Sequence, residues 1–322
     1  MKINSTNGPV DTADLGVTLM HEHVVNLEFS LLVAYPDTWF DKEACLKLYT
    51  DEVNKAKKYG LKTYVDATPI NLGRDVKLIK EAADRAGVTA LFATGLYYPE
   101  DPWFILGVEA DFTAELFIRD LTKGCQGTDM KAAFIKVGTD PNVGLTEINR
   151  AILKAAAIAS KETGAPVYTH SSPVNELGLR QQEFLLKEGV DPQKLVIGHS
   201  FDTTDLNYVE SLIKNGTYVG CDRIGLRITV GAKELGDFVA KLIERGHSKK
   251  IMISHDGVIN NDYGVALHRD KRNHATCKVV GGYGPVFEIF HPRLRELGVS
   301  EDIIQDMMIG NPRRYFEGQP LQ

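Results

Sequence analysis

Residues 15–23 read Leu15-Gly16-Val17-Thr18-Leu19-Met20-His21-Glu22-His23, a short apolar run that ends in two histidines two residues apart. Side chains alternate across a strand, so His21 and His23 share one face and Glu22 takes the other. Two neutral imidazoles converging at a strand end make half of a metal site. Two surface histidines at this spacing are also common, so the pair acquires meaning only from what stands at the ends of other strands.

Outward from this stretch, a unit recurs: a β-branched run, a loop, then a helical pattern. The candidate strands are residues 15–20, 62–67, 89–94, 132–137, 166–170, 195–199, 217–221 and 251–255. Helical periodicity covers 42–59, 75–86, 112–123, 146–163, 175–188, 203–215 and 233–245, and most of these runs stop at a glycine such as Gly60, Gly87 or Gly164. Two further helical patterns, 283–297 and 301–310, close the chain. Strands alternating with helices imply parallel pairing through helical crossovers. Eight such units predict a TIM (β/α)8 barrel, read as one domain over residues 1–322. An open doubly wound sheet would more often carry a glycine-rich phosphate turn after its first strand, where this chain carries histidines.

In a barrel of this kind chemistry lies at the C-terminal ends of the strands. There the sequence places His21 and His23 on strand 1, Lys136 on strand 4, His170 on strand 5, His199 on strand 6 and Asp256 on strand 8. Each alone has an ordinary explanation: a hydrogen-bonded loop histidine, a lysine reaching solvent, an aspartate in a turn. Together they would crowd ionisable groups into one barrel mouth, which calls for a compensating charge. A divalent metal supplies it. His255 adjoins Asp256, should face the other way, and is read as structural or as a support behind the ligands.

This set, with Met20–His23, Phe134–Gly138, Thr169–Ser171, Ile197–Ser200 and Ile253–Asp256, resembles the binuclear amidohydrolase superfamily. Within it the chain is similar to the phosphotriesterase family, and especially to its phosphotriesterase-like lactonases, from Gly8-Pro9-Val10 to Asn311-Pro312-Arg313. The resemblance implies two divalent ions, with zinc the first expectation and iron, cobalt or manganese alternatives. His21, His23 and Asp256 would hold one ion and His170 and His199 the other. Lys136 would bridge both as a carbamate formed with carbon dioxide. A hydroxide shared by the metals would be the nucleophile, and Asp256 would orient it and shuttle its proton. Tyr97 and Arg223 match the tyrosine and the strand-7 arginine of the lactonases. Taken alone, Tyr97 would be a packed aromatic and Arg223 an ion-pair partner of Asp222 or another loop acid.

The implied reaction is lactone hydrolysis with weak phosphotriester hydrolysis beside it. The rivals are an organophosphate triesterase, a hydrolase of phosphorylated sugar lactones, and a barrel that only binds a ligand; the complete ligand set speaks against the last. The run His268-Arg269-Asp270-Lys271-Arg272-Asn273-His274 sits in a long loop after strand 8, read from Gly257 to about Gly282; it is read first as a solvated face, with a grip for a substrate carboxylate or phosphate as the alternative. Asp256 leads into Gly257-Val258-Ile259-Asn260-Asn261 without the cysteine pair that some acyl-homoserine lactonases carry there, which disfavours that substrate. Phe29, Leu31, Leu32, Tyr35, Trp39 and Phe40 after strand 1 would line an acyl pocket or a subunit interface, since relatives are commonly homodimers.

Composition agrees with a small-molecule enzyme. The chain is 43% hydrophobic and 25% charged, enough to bury a large core, and its net charge of -6 argues against nucleic acid or an anionic membrane surface. Four dispersed cysteines without a CxxC, no apolar leader and no stretch of ~20 apolar residues suggest a reduced, cytoplasmic chain.

Overall fold

The computed structural model describes residues 1–36, 39–98, 107, 109–226, 230–262 and 282–319. Its barrel strands are β1 (Val17–Asn26), β2 (Leu61–Asp66), β3 (Thr89–Thr94), β4 (Phe134–Gly138), β5 (Val167–His170), β6 (Leu195–Ile197), β7 (Tyr218–Cys221) and β8 (Ile251–Ile253). Neighbours pair parallel and in sequence order. The ring closes through an interruption. β8 pairs with β7, the chain breaks step at residues 254–256, and it resumes as β9 (Gly257–Asn261), which pairs with β1 from Gly257↔Glu22 to Asn261↔Asn26. The fold is a TIM barrel.

Helices α1 (Phe29–Ala34), α2 (Lys42–Lys57), α3 (Val76–Ala86), α4 (Ala110–Thr122), α5 (Glu147–Thr163), α6 (Leu177–Lys187), α7 (Leu206–Lys214) and α8 (Ala232–Glu244) surround the strands. Their ends follow local chemistry. Asp75 caps α3 by accepting from Lys77 N and Leu78 N, and Gly87 ends it in the left-handed region at φ 64°. Thr146 and Gly164 do the same for α5.

Besides the short helix α1, for which no helical pattern was expected, the observed elements depart from expectation in four places. β1 runs on to Asn26, because β9 gives residues 22–26 a partner. For the same reason the connection after strand 8 begins beyond Asn261 rather than at Gly257. The segment expected as one helix over 283–297 is a π-turn (Val286–Phe290) followed by α9 (His291–Glu296), with Pro292, which has no N–H to donate, at the junction. After α10 (Glu301–Met308), a further helix, α11 (Gly310–Glu317), starts around Pro312, whose fixed φ suits a first turn.

Strand alternation sorts the core into two shells. Phe134, Tyr168, Val196, Tyr218 and Met252 fill the barrel interior, while Ile135, Val167, Leu195, Ile197, Val219 and Ile251 pack outward on the helices. Each such side chain contributes roughly 1.5–3 kcal/mol by leaving water. On β1 the pairing slips by one residue between Leu19 and Glu22. This bulge turns two consecutive residues inward: Met20 joins the inner shell and His21 faces the cavity above it. Cys45, Cys125 and Cys221 are buried thiols. Among the described residues no helix is long and apolar enough to cross a membrane.

Candidate metal centre

The strand ends deliver their polar residues to one cavity of about 300 Å³, whose lining includes His21, His23, Tyr97, Lys136, His170, Arg223 and Asp256. His199 is buried beside it, with Nε2 2.8 Å from His170 Nδ1. All the expected site residues are therefore brought together. Two hold strained backbone to do so: His199 at φ 56° and Asp256 at φ 52° are left-handed non-glycine residues, each costing ~1–3 kcal/mol. Close packing at the strand ends also demands glycine. A Cβ on Gly95 would lie 1.8 Å from the Lys136 carbonyl oxygen, and one on Gly220 2.5 Å from Asp222 Oδ2.

Each imidazole is oriented by an acceptor on its far side. Asp222 Oδ2 accepts from His21 Nδ1 at 2.9 Å, and Asp222 Oδ1 from His199 Nδ1 at 3.0 Å. His23 Nδ1 meets Thr68 Oγ1 at 2.8 Å, and that hydroxyl directs its own proton to Val25 O at 3.2 Å. His170 turns Nε2 toward Asp140 Oδ2 at 3.6 Å, while its Nδ1 accepts from the Tyr97 hydroxyl at 2.8 Å. With the outer nitrogens protonated, the inner ones are bare lone pairs aimed at one another and at a carboxylate. Asp256 Oδ1 stands 3.1 Å from His23 Nε2 and 3.4 Å from His21 Nε2. Burial, reinforced by the Lys136 charge, lowers the His21 pKa to about 4. Burial likewise lowers that of His170 to about 4, so both rings are neutral at pH 7.

Convergent lone pairs and a carboxylate that outnumber the donors facing them (the Tyr97 hydroxyl, Arg223 Nε and the Lys136 amine) fit a cation. His21, His23 and Asp256 bring three such atoms within 4.8 Å of one another. His21, His199 and Asp222 do so as well, but Asp222 is better read as an orienting group. Its two oxygens already take four donors: both Nδ1 atoms, the Tyr168 hydroxyl at 2.7 Å and the His199 backbone N–H at 2.9 Å.

Lys136 is fully enclosed, with Nζ 3.0 Å from His21 Nε2 and, among the described residues, no carboxylate within ion-pairing distance. Burial lowers its pKa to about 7, so that at neutral pH a substantial share is the free amine, the form that adds to carbon dioxide. Burial opposes ionisation of Asp256, yet His21, His23, His199 and Arg223 outweigh it and hold the carboxyl well below the usual range. Arg223 donates from Nε to Asp256 Oδ2 at 2.9 Å and from Nη1 to Asp202 Oδ2 at 2.5 Å. Its partners are thus Asp256 and a loop acid, not the adjacent Asp222.

Sequence reasoning passed over Asp222 as an orienting group and did not single out Thr68, Asp140 or Asp202. Asp222 had a readable signal, because Tyr218 and Gly220 precede it at strand alternation on the inward face. The others lie on loops with no such period. His255 faces away from the cavity, bonded to Glu22 at 2.8 Å. The aromatic stretch after β1 supplies none of the cavity lining among the described residues: Phe40 and Leu32 pack on the core, Phe29 and Tyr35 are exposed, and Trp39 donates to Asp262 at 2.8 Å. Residues 268–274 lie outside the described residues.

The model of the phosphotriesterase family matches residues 1–316. An aryldialkylphosphatase of Saccharolobus solfataricus is 35% identical over 95% of this chain and 96% of its own. A phospho-furanose lactonase of Mycoplasmopsis agalactiae is 26% identical over 97% of this chain and 90% of its own. The solved structure of the phosphotriesterase from Mycobacterium tuberculosis superposes with a TM-score of 0.88 at 34% identity, covering all of both chains.

Proposed function

The chain belongs to the phosphotriesterase family, and from that premise we propose that it is a metal-dependent hydrolase that opens a lactone ring, with phosphotriester hydrolysis as a weak side activity. The observation that carries the reading is Tyr97 and Arg223 on the same cavity as the prospective ligands, one bonded to His170 and the other to Asp256. The cavity, about 300 Å³ with Leu72, Leu226 and Val258 beside the two tyrosines Tyr97 and Tyr98, is at the small end for ligand sites and suits a compact ring ester.

In this reading His21, His23 and Asp256 would hold one divalent ion and His170 and His199 a second, with Lys136, as its carbamate, shared between them; the His-rich set suits zinc first. Such a pair, when bound, supplies a water with its pKa lowered toward ~7 and polarises an ester carbonyl. The chain's own groups do the rest. Asp256 is ionised, so it can take a proton at its carboxylate and pass it to the departing ring oxygen. Arg223, anchored by Asp202, holds Asp256 Oδ2 in place for that transfer. The Tyr97 hydroxyl lines the cavity, and its proton, given to His170 Nδ1 in the structure, would be released to a substrate oxygen once that nitrogen held a cation; the apolar wall keeps bulk water from the ring.

The test is kcat/KM across γ- and δ-lactones, acyl-homoserine lactones, phosphorylated sugar lactones and paraoxon. Lactones should lead by at least tenfold; greater efficiency on paraoxon overturns the proposal. That second reading, a triesterase, is favoured by the aryldialkylphosphatase relative. The lactonase relative's name raises phosphorylated lactones. Against them stands Asp140 in the lining, whose bond to His170 lowers its pKa to about 2 and keeps it anionic.

A further inference from the structure

A second buried polar cluster lies on the opposite face of the same strand end, and the mechanism above makes no use of it. Glu22 sits between His21 and His23 but points out of the barrel, fully buried. Its Oε1 accepts from Ser254 Oγ at 2.8 Å, His255 N at 3.0 Å and His255 Nδ1 at 2.8 Å, and its Oε2 from Gly257 N at 2.8 Å. These are the residues on either side of Asp256, in the break that separates β8 from β9. Two further bonds tie the break to β1: His21 N donates to Ser254 Oγ at 2.8 Å, and Asp256 N to His21 O at 3.0 Å. His255 Nε2 then accepts from Val286 N at 3.1 Å, on the segment that follows the long connection. The fit is tight, since a Cβ on Gly257 would lie 2.8 Å from the Tyr283 ring and 3.0 Å from Glu22 Oε2.

We propose that Glu22 and His255 are positioning residues for Asp256. One carboxylate fixes the backbone on both sides of a left-handed residue, so that the Asp256 side chain is held against His21 and His23 without rearranging. Because Glu22 is covalently flanked by those two histidines, the three prospective ligands are placed as one rigid unit. His255 extends the tie to residue 286. The consequence for metal binding rests on the functional reading above; the consequence for the backbone does not.

The test uses the full-length protein with Glu22→Gln, His255→Leu, His255→Asn and Ser254→Ala. A glutamine cannot accept at both oxygens, and leucine removes both bonds of the imidazole. The asparagine amide keeps a donor near the Nδ1 position and gives up only Val286. Amide hydrogen exchange at residues 255–257 should rise at least tenfold in Glu22→Gln and His255→Leu, and less than threefold in His255→Asn. In zinc-loaded protein the first two should lower lactone kcat 10- to 100-fold with KM within twofold, and lose about one zinc per chain to a chelator that leaves the wild type intact. Ser254→Ala, which removes one of four donors, should fall between and keeps the test open if Glu22→Gln does not fold. Unchanged exchange at 255–257 in folded Glu22→Gln or Ser254→Ala overturns the proposal, as does loss in His255→Asn equal to that in His255→Leu. A wild type that holds no zinc overturns the functional reading instead, and the exchange result still decides this one.

Discussion

The two faces of the strand pair formed by residues 20–23 and 254–257 are both largely buried and almost equally polar, yet they are built on opposite principles. On the outer face donors and acceptors match: Glu22 takes four hydrogen bonds, and the His255 ring both gives and receives one. On the inner face acceptors outnumber donors, with imidazole lone pairs set against one another and against Asp256. The density of buried polar groups therefore does not mark a site. Imbalance does, because leaving it without a counter-charge costs several kcal/mol.

The comparison breaks most readily at Asp256, the inner carboxylate. Asp256→Ala should lower lactone kcat/KM by at least ~10³-fold, about 4 kcal/mol, and reduce bound zinc from two ions per chain toward one. Activity within tenfold of the wild type, measured on zinc-loaded protein of unchanged circular dichroism, would show that the inner face does not depend on its carboxylate.

The next effect is on folding without metal. The pKa values of His21 and His170 drop from 6.5 to about 4 on folding. Between these values the unfolded chain binds protons that the native chain does not. Their contribution to stability is whole above pH 6.5, falls as pH drops, and is gone near pH 4, on the order of 3 kcal/mol for each. Asp202, raised to about 6 chiefly by burial, acts in the opposite direction over pH 4–6 and offsets part of the loss. Urea denaturation of the metal-stripped protein should show a net decline from pH 6.5 to 4. A flat profile would mean that the inner face is not held neutral.

Much of this organisation is legible in the chain. Period-2 runs and glycine-stopped helices expose the barrel, and strand ends expose His21, His23, Lys136, His170, His199 and Asp256, because ligand identity and strand alternation are both local properties. The shell that orients them is harder to read. Thr68 and Asp140 come from loops, where no period says which way a side chain turns. Asp222 carries the inward alternation of β7, but the adjacent Arg223 offers a simpler salt-bridge explanation, and only the register Val196↔Tyr218 and Ile197↔Val219 brings Asp222 beside His199. The split of strand 8 is also non-local. It depends on Glu22, some 230 residues earlier, gathering the residues around Asp256.

The orienting shell ranks the two remaining predictions. Asp222 serves two imidazoles from one carboxylate, so Asp222→Asn sets an amide N–H against a ring N–H at one of them and should weaken zinc binding ~10- to 100-fold. Competition with a chelator would measure it, and an unchanged affinity would return Asp222 to a merely structural role.

Thr68→Val should be the mildest. Valine keeps the shape of threonine but removes the acceptor at His23 Nδ1, a single neutral hydrogen bond of about 1 kcal/mol, or ~5-fold in affinity. The loss stays small because His23 is also set by β1 pairing and by Asp256, whereas His199 is set largely by Asp222, which takes both its ring and its backbone N–H. If Thr68→Val costs more zinc affinity than Asp222→Asn, the inner face is organised around β1 alone, and the bridge that Asp222 makes between the two prospective metal positions carries less weight than its four hydrogen bonds imply.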